Sequence, residues 1–220
     1  MKKIVIGLLI LTLGGFLAVG SATAATTGIS LGPETPLIGN GVAGNGSILD
    51  QLYGLNNLQR VDDDGDQVWF NPETGSATAQ AKYAAYDQVF GYIPEGGSFM
   101  SLFSVTGNGI NLGAPTDTFN SGPFSFLWAV DPSGAPLWTS KPDQNSDSLD
   151  HMVTWLITGG AGNTPGNRVI AWEDLRNGGD RDFNDLVVEV NVAPVPIPAA
   201  ILLLGSGLVG LLGVRKKFKL

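Results

Sequence analysis

Acidic residues are confined to the middle of this chain, and that confinement limits how much of it can fold as one domain. All 20 acidic residues lie between Glu34 and Glu189, whereas six of the 12 basic residues lie in the two terminal segments. The middle therefore carries 20 acidic against 6 basic residues, although the formal charge of the whole chain is only −8. The ends are apolar or small, so the sequence predicts one acidic domain between two apolar segments.

The charge and the composition exclude several functional classes. A domain with this excess of carboxylates is repelled by phosphate, so we expect no nucleic acid partner. The chain has no cysteine, which excludes disulfides, thiolate zinc sites and thiol catalysis. A single histidine, His151, is too few for a multi-histidine metal site.

Residues 1–24 have the organisation of a secretory signal peptide. Lys2 and Lys3 form the charged start, residues 4–20 form an apolar run, and residues 22–24 read Ala-Thr-Ala, a small-x-small cleavage site. Cleavage there makes Ala25 the first mature residue, and an uncleaved membrane anchor is the alternative. The sequence thus predicts export.

Residues 194–220 have the organisation of a membrane anchor. Prolines at alternate positions from Pro194 to Pro198 predict a stiff, extended spacer, because proline disfavours helix in the residue before it. Residues 199–214 are wholly apolar or small and, with their flanks, approach the roughly 20 residues of a spanning helix. Residues 215–219 are mostly basic and are expected to stay in the cytoplasm. We therefore predict a transmembrane helix in the inner membrane, with the acidic domain outside the cytoplasm.

The same tail resembles a known sorting signal. From Val195 to Lys217 it combines a proline motif, an apolar helix containing Gly-Ser-Gly and a basic end, in the order found in the PEP-CTERM family. Ile197 stands where that family usually has glutamate, so the tail is similar to its Val-Pro-Leu-Pro-Ala variant. The resemblance implies a Gram-negative bacterium, an exosortase-type membrane peptidase as partner, and delivery to the cell surface or to extracellular polysaccharide. The matching positions are Pro196, Ile197, Pro198, Ala199, Gly205, Gly207, Arg215, Lys216 and Lys217.

Between the ends, short apolar runs are separated by Gly, Pro, Asn and Asp. Residues 25–47 lack periodicity and are predicted to form a loose segment leading into a domain at 48–193. Many short strands at such spacing indicate an all-β fold, a β-sandwich or jelly-roll-like single domain. Residues 76–87 are rich in alanine, but their alternation favours a strand over a helix. The other predicted strands are 67–70, 88–93, 99–105, 124–130, 152–158, 169–172 and 186–192.

Two aspartate-rich segments are candidate calcium sites. Residues 180–185 offer Asp180, Asp182, Asn184 and Asp185, and alternate side chains of a curled loop can converge on one ion. Ca²⁺ takes six to eight such oxygens, and the glycines at 178–179 suit the left-handed turn that the curl needs. Neither segment has the spacing of an EF-hand, and a solvated turn is the alternative. The other segment offers the same alternation at Asp62, Asp64 and Asp66.

A second resemblance covers the later segment. Trp-Glu-Asp-Leu-Arg at 172–176 and Gly-Gly-Asp-Arg-Asp-Phe-Asn-Asp-Leu-Val at 178–187 are similar to the C-terminal signature of a family of unknown function. The family is found in bacterial secreted and surface proteins, often with PEP-CTERM tails. The resemblance implies no known reaction, and calcium binding is suspected for the family because of these aspartates.

Three functions are compatible with these features: a calcium-stabilised β domain of the cell surface or exopolysaccharide, a calcium-dependent lectin-like module, and a glycoside hydrolase. The lectin hypothesis needs an aromatic platform, and Trp138, in a polar stretch, is its best candidate, since the other tryptophans are expected in the core. The hydrolase hypothesis needs two carboxylates on a cleft, which spacing does not reveal. Asp150 cannot orient the adjacent His151, because neighbours in a strand point to opposite faces. We therefore expect a non-enzymatic protein.

Overall fold

The computed structural model describes residues 47–111 and 115–194, which form an all-β fold with one short helix, α1 (Ile48–Tyr53). The strands, in chain order, are β1 (Leu58–Arg60), β2 (Trp69–Phe70), β3 (Gly75–Lys82), β4 (Gln88–Pro94), β5 (Met100–Val105), β6 (Gly109–Ile110), β7 (Thr116–Phe119), β8 (Ser125–Pro132), β9 (Trp138–Thr139), β10 (Met152–Ile157), β11 (Arg168–Trp172), β12 (Leu186–Val190) and β13 (Ala193–Pro194).

The strands form two antiparallel sheets. Sheet 1 has the order β1-β10-β11-β12-β3, with β6 and β7 both paired along β3. Sheet 2 has the order β13-β2-β8-β4-β5, with β9 also paired to β8. Within the described residues the chain passes from sheet 1 to sheet 2 four times: between β1 and β2, β3 and β4, β7 and β8, and β12 and β13. The connection from β11 to β12 joins two neighbours in the middle of sheet 1.

Aromatic rings fill the space between the sheets. The ring of Trp128 in β8 lies 5.0 Å, centroid to centroid, from those of Phe90, Phe119 and Phe126. Trp172 and other apolar residues of sheet 1 complete this core. Aromatic side chains bury large apolar areas, and tilted or offset pairs add attraction beyond that burial. The predicted two-sheet sandwich is confirmed, whereas jelly-roll topology stays a prediction.

A smaller core lies on the outer face of sheet 1, under α1. The side chain of Ser47 accepts a hydrogen bond from Asp50 N (3.3 Å), the usual way in which serine begins a helix. Ile48 and Leu49 are fully buried against the sheet. The sequence analysis missed this helix, because six residues are too few for a helical period to show.

Most predicted strands are present within two residues of their predicted bounds. The alanine-rich segment is strand β3, with Ala77, Ala79 and Ala81 buried, as its alternation predicts. The last predicted strand is shorter than expected and ends at Val190. Sheet pairing nevertheless continues to Pro194, one residue into the predicted spacer, because β13 pairs with β2. Proline is tolerated there, since β13 is an edge strand.

The terminal predictions lie outside the described residues. They are the signal peptide at 1–24, nearly all of the loose segment at 25–47, and the transmembrane helix and basic end. Within the two described ranges, the model contains no helix with the length and hydrophobicity to cross a membrane.

Candidate metal centre

The acidic loop, residues 173–185, connects β11 to β12. Two hydrogen bonds close its base: Asp185 N donates to Trp172 O (3.1 Å), and Asp174 N donates to a carboxylate oxygen of Asp185 (2.7 Å). Phe183, two residues before the end of the loop, is fully buried in the core under α1. The end of the loop that leads into β12 is therefore held by both hydrogen bonds and burial.

Left-handed backbone gives the loop its curl. Asn177, Arg181 and Phe183 have φ values of 60°, 62° and 50°, a region that costs a non-glycine residue about 1–2 kcal/mol. Gly178 and Gly179 also have positive φ, which confirms the predicted role of this glycine pair. A Cβ atom at Gly179 would lie 2.1 Å from Glu173 Oε1, so the Glu173 carboxylate occupies the space that any larger residue would need.

Five carboxylates converge in the loop, in two groups that share Glu173. The oxygens of Glu173, Asp174 and Asp185 lie within 4.8 Å of one another, and so do those of Glu173, Asp180 and Asp182. Two charges at this distance repel by about 3 kcal/mol at an effective dielectric constant of 20. None of the ion pairs found in residues 47–111 and 115–194 includes any of the five.

Burial intensifies this repulsion. Glu173 is fully buried, and its carboxylate accepts hydrogen bonds from Leu175 N (3.1 Å) and Arg181 N (3.0 Å). Burial, with the nearby Asp185 carboxylate, raises the pKa of Glu173 to about 9. Burial and the neighbouring Asp174 raise the pKa of Asp185 to about 7. The group is therefore chemically suited to a divalent cation, which would neutralise carboxylates that otherwise take up protons.

His151 supports the loop from outside. Its ring is fully buried and stacks on Trp138, with centroids 3.8 Å apart and an interplanar angle of 6°. Nδ1 lies 2.8 Å from Glu173 O, and Nε2 lies 3.0 Å from Asp147 Oδ2. Glu173 O and the Asp147 carboxylate therefore hold the His151 ring between them.

Asp147 completes this support. Besides facing His151, its Oδ2 accepts a hydrogen bond from Asn177 N (2.8 Å) in the acidic loop. Burial acts to raise the pKa of Asp147, but hydrogen bonds from the N–H groups of Asn177 and Leu149 and from His151 hold it below its ordinary value. The carboxylate is therefore ionised at neutral pH. Through His151 and Asp147, one neighbouring segment holds the acidic loop at two points.

The structure brings together part of the predicted site and adds to it. Asp180 and Asp182 lie in one carboxylate group and Asp185 lies in the other. Asn184 instead donates hydrogen bonds to Asp182 from its side chain and from its main chain (3.1 Å for the latter). The sequence analysis assigned no role to Glu173 or Asp174. Their position directly after a predicted strand, opposite the aspartate run, was the available signal.

The other aspartate-rich segment does not converge in this way. Gly65 N donates to Asp62 O (2.8 Å) in a tight turn, and Asp63 pairs with Arg60. Asp62 is exposed, whereas Asp66 is buried. In the described part of the chain, no group of three acidic residues with oxygens within 4.8 Å includes Asp62, Asp64 or Asp66. A calcium site formed by these three stays a prediction.

The predicted aromatic platform at Trp138 is wrong. The side chain is fully buried, stacked on His151, and its Nε1 donates to Asp174 O (2.7 Å). Its polar sequence neighbours reflect this hydrogen-bonded setting rather than exposure. The other tryptophans are buried as predicted, with at most 4% of the surface of any of them exposed.

Comparison with known proteins gives a family match over part of the chain. The model of a family described as "Domain of unknown function (DUF4114)" matches residues 102–193, under half of the chain but including the whole acidic loop. No curated protein matches.

Several solved structures are similar to the sandwich. One is the Chromobacterium violaceum lectin CV2L in complex with alpha-methyl-fucoside, at 18% identity and a TM-score of 0.38, covering 59% of this chain and 97% of that chain. Another is the high-affinity mannose-binding lectin of Ralstonia solanacearum, at 16% identity and a TM-score of 0.36, covering 59% and 96%. Likeness of this degree carries no argument about ligands.

Proposed function

We propose that this chain is an exported, non-enzymatic surface protein whose β-sandwich binds Ca²⁺ in the acidic loop and is stabilised by it. The convergence of five carboxylates on Glu173 carries the proposal. The ligand atoms are all oxygens, and the one histidine is fully engaged elsewhere, which favours a hard cation over zinc or copper.

Coordination geometry favours calcium over magnesium. Ca²⁺ takes six to eight oxygens at about 2.3–2.6 Å in a flexible shell, whereas Mg²⁺ demands a near-ideal octahedron at about 2.0–2.1 Å and holds its water. Carboxylates crowded on one loop, with oxygens within 4.8 Å of one another in each group, suit the flexible shell of the larger ion. The buried Glu173 and the exposed Asp180 also leave one side open to the water that completes a calcium shell.

The site is positioned to act on stability. The acidic loop joins two central strands of sheet 1, so an ion there links the ends of β11 and β12. A ligand that binds only the folded state adds about 2.7 kcal/mol at a hundredfold excess over Kd. Extracellular calcium modules work with Kd values of about 10⁻⁴–10⁻³ M, so a weak site is sufficient outside the cell.

Export and anchoring rest on the sequence of the two ends. Lys2 and Lys3 begin the predicted signal peptide, and residues 215–219 form the basic end of the predicted anchor. The proposed route uses inner-membrane insertion, an exosortase-type peptidase, and then the cell surface or extracellular polysaccharide. Protease added to intact spheroplasts is expected to degrade the domain, and complete protection of the domain would overturn this topology.

Thermal unfolding tests the calcium proposal. We expect 1 mM Ca²⁺ to raise the midpoint of the full chain, in mild detergent, by roughly 5–10 °C over EDTA, with a much smaller effect of Mg²⁺. Asp182→Asn should lose most of that gain. Glu73→Gln removes an exposed carboxylate outside the loop and is the matched control. Equal midpoints in EDTA and calcium would mean that no stabilising calcium ion binds the acidic loop.

A further inference from the structure

Asp66 is a buried carboxylate whose oxygens have no hydrogen-bond partner. Only 1% of the residue is exposed, and neither Oδ1 nor Oδ2 makes a hydrogen bond within the described residues. Its main chain is well fixed, since its carbonyl accepts a hydrogen bond from Trp69 Nε1 (2.5 Å). The side chain is therefore held inside the protein in a definite position, without the donors that a buried carboxylate needs.

Two groups face Asp66: Thr154, which lies in β10, and Asp150, which lies two residues before that strand begins. The Thr154 hydroxyl is fully buried and makes no hydrogen bond of ordinary geometry in the part of the chain described, although it lies near enough to the Asp66 carboxylate to lower its pKa. One oxygen of Asp150 accepts a hydrogen bond from Met152 N (3.0 Å), which leaves its second oxygen available. Asp66 thus interacts with both Thr154 and Asp150 where the chain crosses from sheet 1 to sheet 2.

The electrostatic surroundings are mainly negative. Burial raises the pKa of Asp66 well above its ordinary value; Asp150 and Asp63 raise it further, while Thr154 and Arg60 act to lower it. Burial likewise raises the pKa of Asp150 to about 7. Arg60 already donates to Asp63, to Thr154 O and to Val61 O. One guanidinium with those commitments does not balance the surrounding carboxylates.

A buried carboxylate without hydrogen bonds is expensive to maintain. Leaving one buried polar group unpaired costs about 1–3 kcal/mol, and more when the group is charged. A proton on Asp66 can be donated to the second oxygen of Asp150, but the pair then keeps a negative charge, which a divalent cation neutralises. A cation accepts electron pairs from both Asp66 oxygens, from Asp150 and from Thr154 together. The donor set favours the cation over the proton.

We propose that Asp66, Asp150 and the Thr154 hydroxyl bind a second divalent cation of the calcium class, separate from the one in the acidic loop. Main-chain carbonyls and water supply the remaining ligands of a six- to eight-coordinate shell. Asp66 lies on the crossing between β1 and β2, while Thr154 lies in β10. The ion therefore fastens the crossing segment to sheet 1. This site uses one residue of the predicted Asp62, Asp64 and Asp66 set, with partners remote in sequence.

The sign of the change in melting temperature, measured with and without calcium, distinguishes a cation site from a buried carboxylate with a purely structural role. Asp66→Asn removes a buried charge and keeps the shape. In EDTA the variant of the full chain is expected to melt at or above the wild-type temperature, and in 1 mM Ca²⁺ it is expected to melt below it. Glu73→Gln, which removes an exposed carboxylate outside both sites, is the control and should change neither midpoint by more than about 1–2 °C. An Asp66→Asn midpoint that is lower by the same amount in both conditions would overturn the proposal.

Counting bound ions separates this site from the acidic loop. Equilibrium dialysis with ⁴⁵Ca²⁺ should give two ions for the wild type, one for Asp66→Asn and one for Asp182→Asn. If Asp66→Asn does not fold, Thr154→Val takes its place, because valine suits a strand and only the hydroxyl is lost. It should weaken the second ion at least about tenfold and leave the first unchanged. Two ions of unchanged affinity in either variant, or one ion in the wild type that only Asp182→Asn removes, would overturn the second site while leaving the first.

Discussion

The two aspartate-rich segments have the same alternation in sequence but opposite behaviour in the structure. In residues 62–66 the side chains diverge: Asp62 faces solvent, Asp63 pairs with Arg60 and Asp66 turns inward. In residues 180–185 the carboxylates converge on Glu173. The difference lies in the backbone and in partners from elsewhere. Spacing alone supplies acidic side chains, whereas a left-handed curl and a second segment bring their oxygens together.

What surrounds each segment also differs. The acidic loop is held by the buried Phe183 and by the hydrogen bonds of His151 and Asp147, so its carboxylates are fixed despite their repulsion. The earlier segment is a tight turn with one ion pair, and only Asp66 is fixed in the interior. Convergence thus depends on a scaffold that the short turn lacks.

Replacing a glycine in each segment should give the largest difference in stability between the acidic loop and the earlier turn. Gly179→Ala is expected to destabilise the domain by about 3 kcal/mol, because its φ is 46° and the new Cβ would clash with the Glu173 carboxylate. Gly65→Ala is the matched change in the other segment, where the nearest atom to a Cβ is Asp62 O at 3.2 Å, and it should cost under about 1 kcal/mol. Urea unfolding of both variants measures the difference. Equal costs would show that the acidic loop is no more constrained than the turn.

Removing the shared carboxylate should abolish the calcium response of the loop. Glu173→Gln takes away the residue common to both carboxylate groups, so the expected loss is most of the stabilisation by that ion, about 2–3 kcal/mol in excess calcium. Without calcium the same variant should be less affected, because it also relieves repulsion. Isothermal calorimetry and melting in EDTA and calcium check both expectations. A full calcium response in Glu173→Gln would place the ion elsewhere.

Removing the hydrogen bonds of His151 should destabilise the domain slightly less than Glu173→Gln does in calcium. His151→Phe keeps a ring against Trp138 but removes the hydrogen bonds to Glu173 O and Asp147, at an expected cost of about 2 kcal/mol. A double-mutant cycle with Asp147→Asn isolates the pair, and the two changes should be less than additive. Additive effects would mean that the two residues act on the loop independently.

The smallest effect is expected in the earlier segment. Asp63→Asn removes the ion pair with Arg60. The Asp63 side chain is 41% exposed and that of Arg60 is 32% exposed, so the expected loss of unfolding free energy is about 0.5 kcal/mol. Raising the salt concentration should reduce even this difference, since water and ions screen exposed charges. A loss above about 2 kcal/mol in urea unfolding would give the turn a structural role comparable to that of the acidic loop.

The longer strands of the fold were predictable, and several of the shortest were not. β4, β8 and β10 have enough apolar or alternating residues for the pattern to show in the sequence. β9 and β13 have two residues each and exist because a neighbouring strand offers free backbone groups, which no local pattern encodes. The helix α1 was not predictable either, because the sheet beneath it, rather than a pattern of its own, supplies most of its burial.

The carboxylate cluster was predictable in part of its membership but not in its assembly. The aspartates at 180, 182 and 185 are plausible ligands from composition and spacing alone. Glu173 joins them only because the chain curls back on the end of β11, and Asp66 meets Thr154 only through the pairing of β1 with β10. Trp138 was wrongly predicted at the surface, because polar residues flank a tryptophan in sequence both at a surface and in a hydrogen-bonded interior.

The position of β13 has a mechanical consequence. A pull on the chain beyond Pro194 acts first on β13, an edge strand that pairs with β2 through only two residues. Such a ladder opens one residue pair at a time and yields at low force. The next strand to bear the load is β12, which is paired on both sides, with β11 and with β3, and must slide along both neighbours before it leaves the sheet. If the chain is anchored beyond Pro194 as proposed, the domain is expected to extend slightly under tension before its core is strained.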